Sequence, residues 1–276
     1  MKKMLFGILI FIILIATSMY FANQGFFLFR FGDSSIKGNG NVVTQNYPFT
    51  KQPFDSIDLN TVGEVQLQII YNPKTADVAI TTDSNLLPYI QVYVKNKTLY
   101  ISKKEDNINF SSHTKQKITV TTNKLQSLIL RGAGDIVVND VIKAEIFSLK
   151  LDGAGDTELS VNTKNLTVAT HGAGYTKLSA HTKTLIATLH GAGNMKLSGD
   201  TKTLMVDLHG AGKINTQNLK ADKVKASVSG SGDILTNATK KISAVISGAG
   251  SIKYSGNPKE VEKSITGSGE IVESRS

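Results

Sequence analysis

Three histidines stand 19 residues apart, at His171, His190 and His209. Imidazoles at a fixed interval suit a shared metal ion or a sensor of pH near neutrality. Two carboxylates, Asp135 and Asp156, recur 156 − 135 = 21 residues apart, among Arg131, Asp152 and Glu158. A pair of carboxyls about 6.5–9.5 Å apart, one held protonated, is the equipment of an inverting glycoside hydrolase. Lys164, Lys183 and Lys202 make a third series at intervals of 19, each preceded by a threonine (Thr163, Thr182, Thr201), and Lys177 and Lys196 make a fourth. Evenly spaced cations suit an anionic polymer. Each chemistry requires that folding bring equivalent residues side by side, so the elements between them decide the reading.

A glycine phrase punctuates the same interval. Gly-x-Gly recurs eight times: Gly132 with Gly134, Gly153 with Gly155, Gly172 with Gly174, Gly191 with Gly193, Gly210 with Gly212, Gly230 with Gly232, Gly248 with Gly250, and Gly267 with Gly269. The steps are 21, 19, 19, 19, 20, 18 and 19. A phosphate-binding loop occurs once or twice in a chain, not eight times. Gly212-Lys213 is followed by Ile214 and lacks the Ser or Thr of a P-loop, and no instance supplies the third glycine of a dinucleotide site. A constant period is instead the mark of a solenoid. All sixteen glycines are expected at structural turns, where backbone bends tightly or takes positive φ. The glycines are corners.

Between corners the sequence alternates with period two: Leu185, Ala187, Leu189; Leu204, Val206, Leu208; Ile252, Tyr254. That is strand periodicity, with one set of side chains inside and the other outside. Nineteen extended residues cover roughly 60 Å, about the circuit of a three-sided coil. The expected fold is therefore all-β, a right-handed parallel β-helix with Gly-x-Gly corners, since parallel crossovers are almost always right-handed. Coils stack at about 4.8 Å. His171, His190 and His209, one position from an inward residue, then form an outer column, and a straight column offers no convergent tetrahedron for a metal. No metal or other cofactor is assigned. Asp135 and Asp156 read as solvated surface neutralised by Arg131. No Ser/His/Asp or Cys/His set converges for nucleophilic catalysis.

The bulk composition agrees. Aromatics are 7%, tryptophan and cysteine are absent, and the net charge is +9, carried almost wholly by lysine; arginine occurs only at positions 30, 131 and 275. Absence of cysteine removes disulfides, thiolate metal sites and cysteine nucleophiles. Lysine excess without a recognisable module argues against nucleic acid as a partner. Residues 4–22 carry no charge and follow Lys2-Lys3. Nineteen residues make a helix of about 28 Å, which spans a bilayer's hydrocarbon. Residues 1–25 are thus expected to be an uncleaved anchor; the alternative is a signal peptide cut after Ala22, which would put bulky Tyr20 where a small residue is wanted. Either way the body of the protein is exported to the cell envelope. Residues 26–35 form a linker, and 36–276 form the β-helix: 36–127 irregular, 128–276 regular.

In the irregular part, Ile57 and Leu59 match Leu128 and Leu130, and Thr61-Val62-Gly63 stands where Gly-Ala-Gly would be. Short alternating strands follow, read as hairpin excursions that cap one end of the solenoid, while "GSGEIVESRS" closes the other. "KGNGNVV" at 37–43, "FDSIDL" at 54–59, "TLYIS" at 98–102 and "LILRGAGDI" at 128–136, with the glycine series after them, resemble the auto-transporter adhesin head family of bacterial envelope proteins, the GIN domain. That resemblance implies a right-handed β-helix outside the cytoplasm, an adhesive role, and no catalytic residues to transfer. The favoured function is a non-catalytic envelope adhesion or scaffold module; the alternative is a glycan-processing enzyme. Candidate partners are an acidic glycan, an envelope lipid or another envelope protein, met through Lys164, Lys183, Lys202, Lys177, Lys196 and the three histidines, with a membrane engaged by the N-terminal segment.

Overall fold

The computed structural model describes residues 34–60, 65–71, 75–105 and 107–274. The segment expected to be an N-terminal anchor, nearly all of the expected linker and Thr61-Val62-Gly63 lie outside the described residues. No helix among those described is long and apolar enough to cross a membrane.

The described chain is strand almost throughout, with a single 3-10 turn at Leu87–Tyr89. β1 (Ser34–Lys37), β2 (Val42–Pro48), β3 (Ser56–Asn60), β4 (Val65–Tyr71), β5 (Asp77–Asp83), β6 (Ile90–Lys95), β7 (Thr98–Lys103), β8 (Ile108–Ser111) and β9 (Gln116–Thr122) form the irregular end. β10 (Ser127–Ala154), β11 (Asp156–Gly172), β12 (Tyr175–Gly191), β13 (Asn194–Gly210), β14 (Lys213–Gly230), β15 (Asp233–Gly248), β16 (Ser251–Ser255), β17 (Glu260–Gly267) and β18 (Glu270–Glu273) form a β-solenoid. Each coil from β11 to β14 is one long bent strand in parallel register with the next. His171 pairs with His190 and His190 with His209, an offset of 19 each time.

Alternation explains the packing. Along β12, Thr176, Leu178, Ala180, Thr182, Leu185, Ala187 and Leu189 are buried while Lys177, His181 and Lys183 are exposed. The phase slips at Lys183-Thr184, where neither residue is buried, and the chain turns there. Equivalent slips fall at Lys164-Asn165 and Lys202-Thr203. A further irregularity lies at Gly199, with φ +109°, and the register shifts between Lys196 and Ser198. Stacked aliphatic columns such as Leu166, Leu185, Leu204 and Val224 fill the centre. Each fully buried leucine contributes about 1.5–3 kcal/mol by leaving water.

The glycine corners differ from the expected pattern in how the two glycines share the work. In the later coils the strand ends on the first glycine and the bend falls on the middle residue, Ala192, Ala211, Ser231, Ala249 or Ser268. The second glycine, at Gly193, Gly212, Gly232, Gly250 and Gly269, lies just past the bend and does not take positive φ. These five thus complete the corner without positive φ. At Gly212, Gly232, Gly250 and Gly269 space, and not backbone conformation, excludes a side chain, while at Gly193 the fit is tight. A Cβ at Gly232 would stand 2.4 Å from the Gly212 carbonyl oxygen and 2.7 Å from Leu208 Cδ2. At Gly250 it would meet the Gly232 carbonyl oxygen at 2.4 Å, and at Gly269 the Gly250 carbonyl oxygen at 2.6 Å. Each second glycine sits directly on the one beneath.

Buried threonines stitch one of the other bends. Thr182 Oγ1 donates to the Lys164 carbonyl at 2.9 Å and Thr201 Oγ1 to the Lys183 carbonyl at 3.2 Å. The Thr-Lys pairs therefore divide their labour, threonine binding the coil beneath and lysine facing solvent.

The irregular end joins the solenoid through β3 and β4, which pair in parallel with β10; Ile57 stands beside Leu128 and Leu59 beside Leu130. β2–β5, β5–β9 and β6–β7 are antiparallel additions. The opposite end differs from the expected closure. The tail continues the ladder as β18 on β16, while every residue of β17 is exposed, including Val261 and Ile265 at the inward register of buried Ile242 and Ile246. Lys263, in register with buried Ala244, folds back over the Tyr254 ring at 4.9 Å. A charge at an inward register position of an edge strand opposes pairing with another chain.

Candidate binding surface

The bend after Thr163, Thr182 and Thr201 projects a lysine from each coil. Thr182 pairs with Thr201 and Thr184 with Thr203, which sets Lys183 beside Lys202. Register extends the column to Glu145 on β10, to Asp222 on β14, and to Lys240 on β15. Its ends are neutralised. Lys164 binds Glu145 and holds that carboxyl below the usual range through the hydrogen bond and its charge. Lys240 lies 2.9 Å from Asp222 and lowers its proton affinity in the same way. Among the described residues Lys183 and Lys202 form no ion pair, although the charge of Lys183 also acts on Glu145 and that of Lys202 on Asp222. Lys143, Glu145, Lys164, His181 and Lys183 line an open hollow beside it, and His181 binds Asp200 on the next coil.

The second lysine column differs. Lys177 stands beside Lys196, but its Nζ is 2.6 Å from Glu158, whose hydrogen bond strengthens its hold on its proton.

The three histidines stack face to face. Ring centroids are 4.7 Å apart from His171 to His190 and 4.5 Å from His190 to His209, with planes within 4° and 5° of parallel. Asp152 Oδ1 lies 3.0 Å from His171 Nδ1 at the foot of the column. Burial, then the neighbouring His209 and His171, make His190 harder to protonate than a free imidazole. Among the described residues no group of three or more His, Asp or Glu side chains converges on a metal position.

The aspartates at the glycine corner have a backbone role that sequence reasoning missed. Asp135 Oδ1 accepts the Asp156 amide at 3.0 Å, and Asp156 Oδ1 accepts the Tyr175 amide at 3.2 Å. At later corners the same amide donates to a glycine carbonyl instead: Asn194 to Gly174 at 2.8 Å, Lys213 to Gly193 at 3.0 Å, Ser251 to Gly232 at 3.0 Å and Glu270 to Gly250 at 3.1 Å. The change coincides with backbone conformation. Gly155 and Gly174 have φ of +137° and +140°, whereas Gly193, Gly212, Gly232, Gly250 and Gly269 are outside the left-handed half of the map. Arg131, expected to neutralise these aspartates, forms a salt bridge with Asp58 on β3. That partner lies 73 residues away and no local signal marks it.

With this solenoid and its corners in place, residues 53–258 match the family described as "Putative auto-transporter adhesin, head GIN domain". The chain belongs to this family. It is similar to a solved structure described as a putative lipid binding protein from Parabacteroides distasonis, at 26% identity and TM-score 0.80 over 87% of this chain and 100% of that one. A putative adhesin from Bacteroides fragilis is similar at 28% identity and TM-score 0.66, again over 87% and 100%. A putative adhesin from Parabacteroides merdae shares the fold at 20% identity, TM-score 0.79, over 88% and 100%. No curated protein matches the chain significantly.

Proposed function

We propose that this GIN-domain chain is a non-catalytic binding module of the bacterial cell envelope, adhesive or scaffolding, which meets anionic chains along the lysine column. The single observation behind this reading is that Lys183 and Lys202, which form no ion pair among the described residues, are fixed side by side by parallel register. The adhesin and lipid-binding descriptions of its structural relatives favour binding over turnover. In this reading the coil is right-handed, as parallel crossovers almost always are, its repeat is 19 residues, and residues 1–25 hold it to the membrane.

The ligand is a polymer of repeated carboxylates or phosphates: an acidic glycan, or the phosphates of an envelope lipid. Exposed lysines bind weakly one by one and are screened over a Debye length of about 8 Å at physiological salt. Affinity therefore comes from several registered contacts along one chain. Glycan hydrolysis has less support, because Asp135 and Asp156 already accept backbone amides at the corner.

The test incubates the full chain in mild detergent with polygalacturonate and with poly(glycerol phosphate), following both binding and polymer length. Binding to at least one probe that weakens steeply with salt, at constant polymer length, is expected. Shortening of either polymer that disappears on replacing Asp135 and Asp156 by asparagine would establish the enzyme instead, and absence of binding to both probes would end the proposal.

A further inference from the structure

The histidine column is a built array. Three imidazoles lie parallel at 4.5–4.7 Å on the outer side of β11, β12 and β13. The charged groups facing them are few. Asp152 on β10 lies against His171 and is itself 2.7 Å from Lys150 Nζ. Asp207 on β13 acts on His190. Above His209 the register places Ser229 on β14 and then Ser247 on β15, which are uncharged.

Protonating all three rings of such a stack brings like charges within a few ångströms. Asp152 already has Lys150 as a partner, and Asp207, two residues before His209 on β13, acts on the middle ring. The column therefore lacks the negative charge needed to become fully cationic. An external anion supplies it.

We propose that the His171–His190–His209 column is a proton-linked anion site, at which a polymer of carboxylates or phosphates laid along the coils binds more tightly as pH falls through about 6.5 and takes up protons as it binds. The inference deepens the proposed function, since the ligand class is the same, but it stands on different residues. Reciprocity makes it quantitative: if protonation favours the anion, the anion favours protonation by the same factor. The empty protein should show the opposite tendency. His190 gives up its proton more readily in the folded state than in the unfolded one. The unfolded chain then binds more protons below about pH 6.5, so stability is lost as pH falls through that value and levels off below the folded-state titration. A bound anion reverses that loss.

The test measures affinity of the full chain for polygalacturonate and poly(glycerol phosphate) at pH 8 and pH 5.5 and constant ionic strength. Calorimetry in two buffers of different ionisation heat counts protons. Both polymers stay ionised across this range, so a pH response belongs to the protein. Wild type is expected to bind about tenfold tighter at pH 5.5, a coupling of ordinary size, with net proton uptake near pH 6. His171→Gln/His190→Gln/His209→Gln should lose the uptake and the gain between pH 8 and pH 5.5. His190→Gln alone, which removes the middle ring, should lose part of both and serves if the triple variant melts early. Lys183→Glu/Lys202→Glu should weaken binding at both pH values yet retain the uptake. If those lysine variants bind like wild type and the pH response persists, the lysine reading fails and this one stands. If wild type takes up no protons, binds neither polymer at pH 5.5, or the histidine variants keep the full gain, the proton-linked site is wrong.

Discussion

Gly191→Ala is expected to cost about 3 kcal/mol or more of folding stability, far beyond the usual effect of one methyl group at a partly exposed turn. Gly191 has φ +122°, and a Cβ there would stand 2.5 Å from the Gly172 carbonyl oxygen of the coil beneath. Left-handed backbone costs a non-glycine residue roughly 1–2 kcal/mol. Forcing a carbon into packed backbone adds about 1–3 kcal/mol, because the obstacle is another coil and not the end of a flexible side chain. Gly210 above relies on the Gly191 carbonyl in the same way, so a shift at one corner propagates to its neighbours. The control is Ala192, exposed between the two glycines and replaced by Ser231 two coils on. Ala192→Ser should stay within about 0.5 kcal/mol of wild type. Urea unfolding of both variants decides the matter; equal midpoints for Gly191→Ala and wild type would mean that the corner tolerates a side chain.

The second large effect concerns binding. Reversing Lys164, Lys183 and Lys202 to glutamate changes the column by six charges. At roughly 0.3 kcal/mol for each exposed charge, the loss is about 2 kcal/mol, or roughly 30-fold in affinity at low salt. The fold should survive, since all three side chains face solvent. Lys164→Glu also faces Glu145 with a like charge and Lys202→Glu stands beside Asp222, which Lys240 already holds; Lys183→Glu/Lys202→Glu leaves the Lys164–Glu145 pair intact. Salt dependence should flatten along with affinity. Binding equal to wild type, with an unchanged salt slope, would reduce the column to a solubility feature.

Much of this architecture is legible because its physics is local and repeated. Period-two alternation specifies strands, and an interval of 19 places His171, His190 and His209 in one column without any knowledge of tertiary structure. The match of Ile57 and Leu59 to Leu128 and Leu130 is readable for the same reason: stacked coils need equivalent inward residues. What the repeat does not encode is charge pairing between unlike coils. Asp58 beside Arg131, Glu145 beneath Lys164 and Asp222 beneath Lys240 all come from coils whose sequences diverge. The role of Asp135 and Asp156 is hidden because it depends on the hand of φ at the glycine before each coil, and glycine gives no sign of which hand it adopts. For the same reason the sequence does not separate Gly230, which is left-handed, from Gly232, which is glycine only because the coil beneath is close. The exposed β17 also escapes pattern reading. Val261 and Ile265 alternate like core residues, and alternation does not tell that no described coil covers them.

Lysine acylation read by mass spectrometry, with and without saturating polygalacturonate, tests the lysine column most directly. Lys183 and Lys202 are expected to lose reactivity most, Lys164 next because Glu145 already holds it, while Lys124 and Lys253, which lie outside the column, react as before. Uniform protection of all lysines, or protection confined to those of the irregular end, would contradict it.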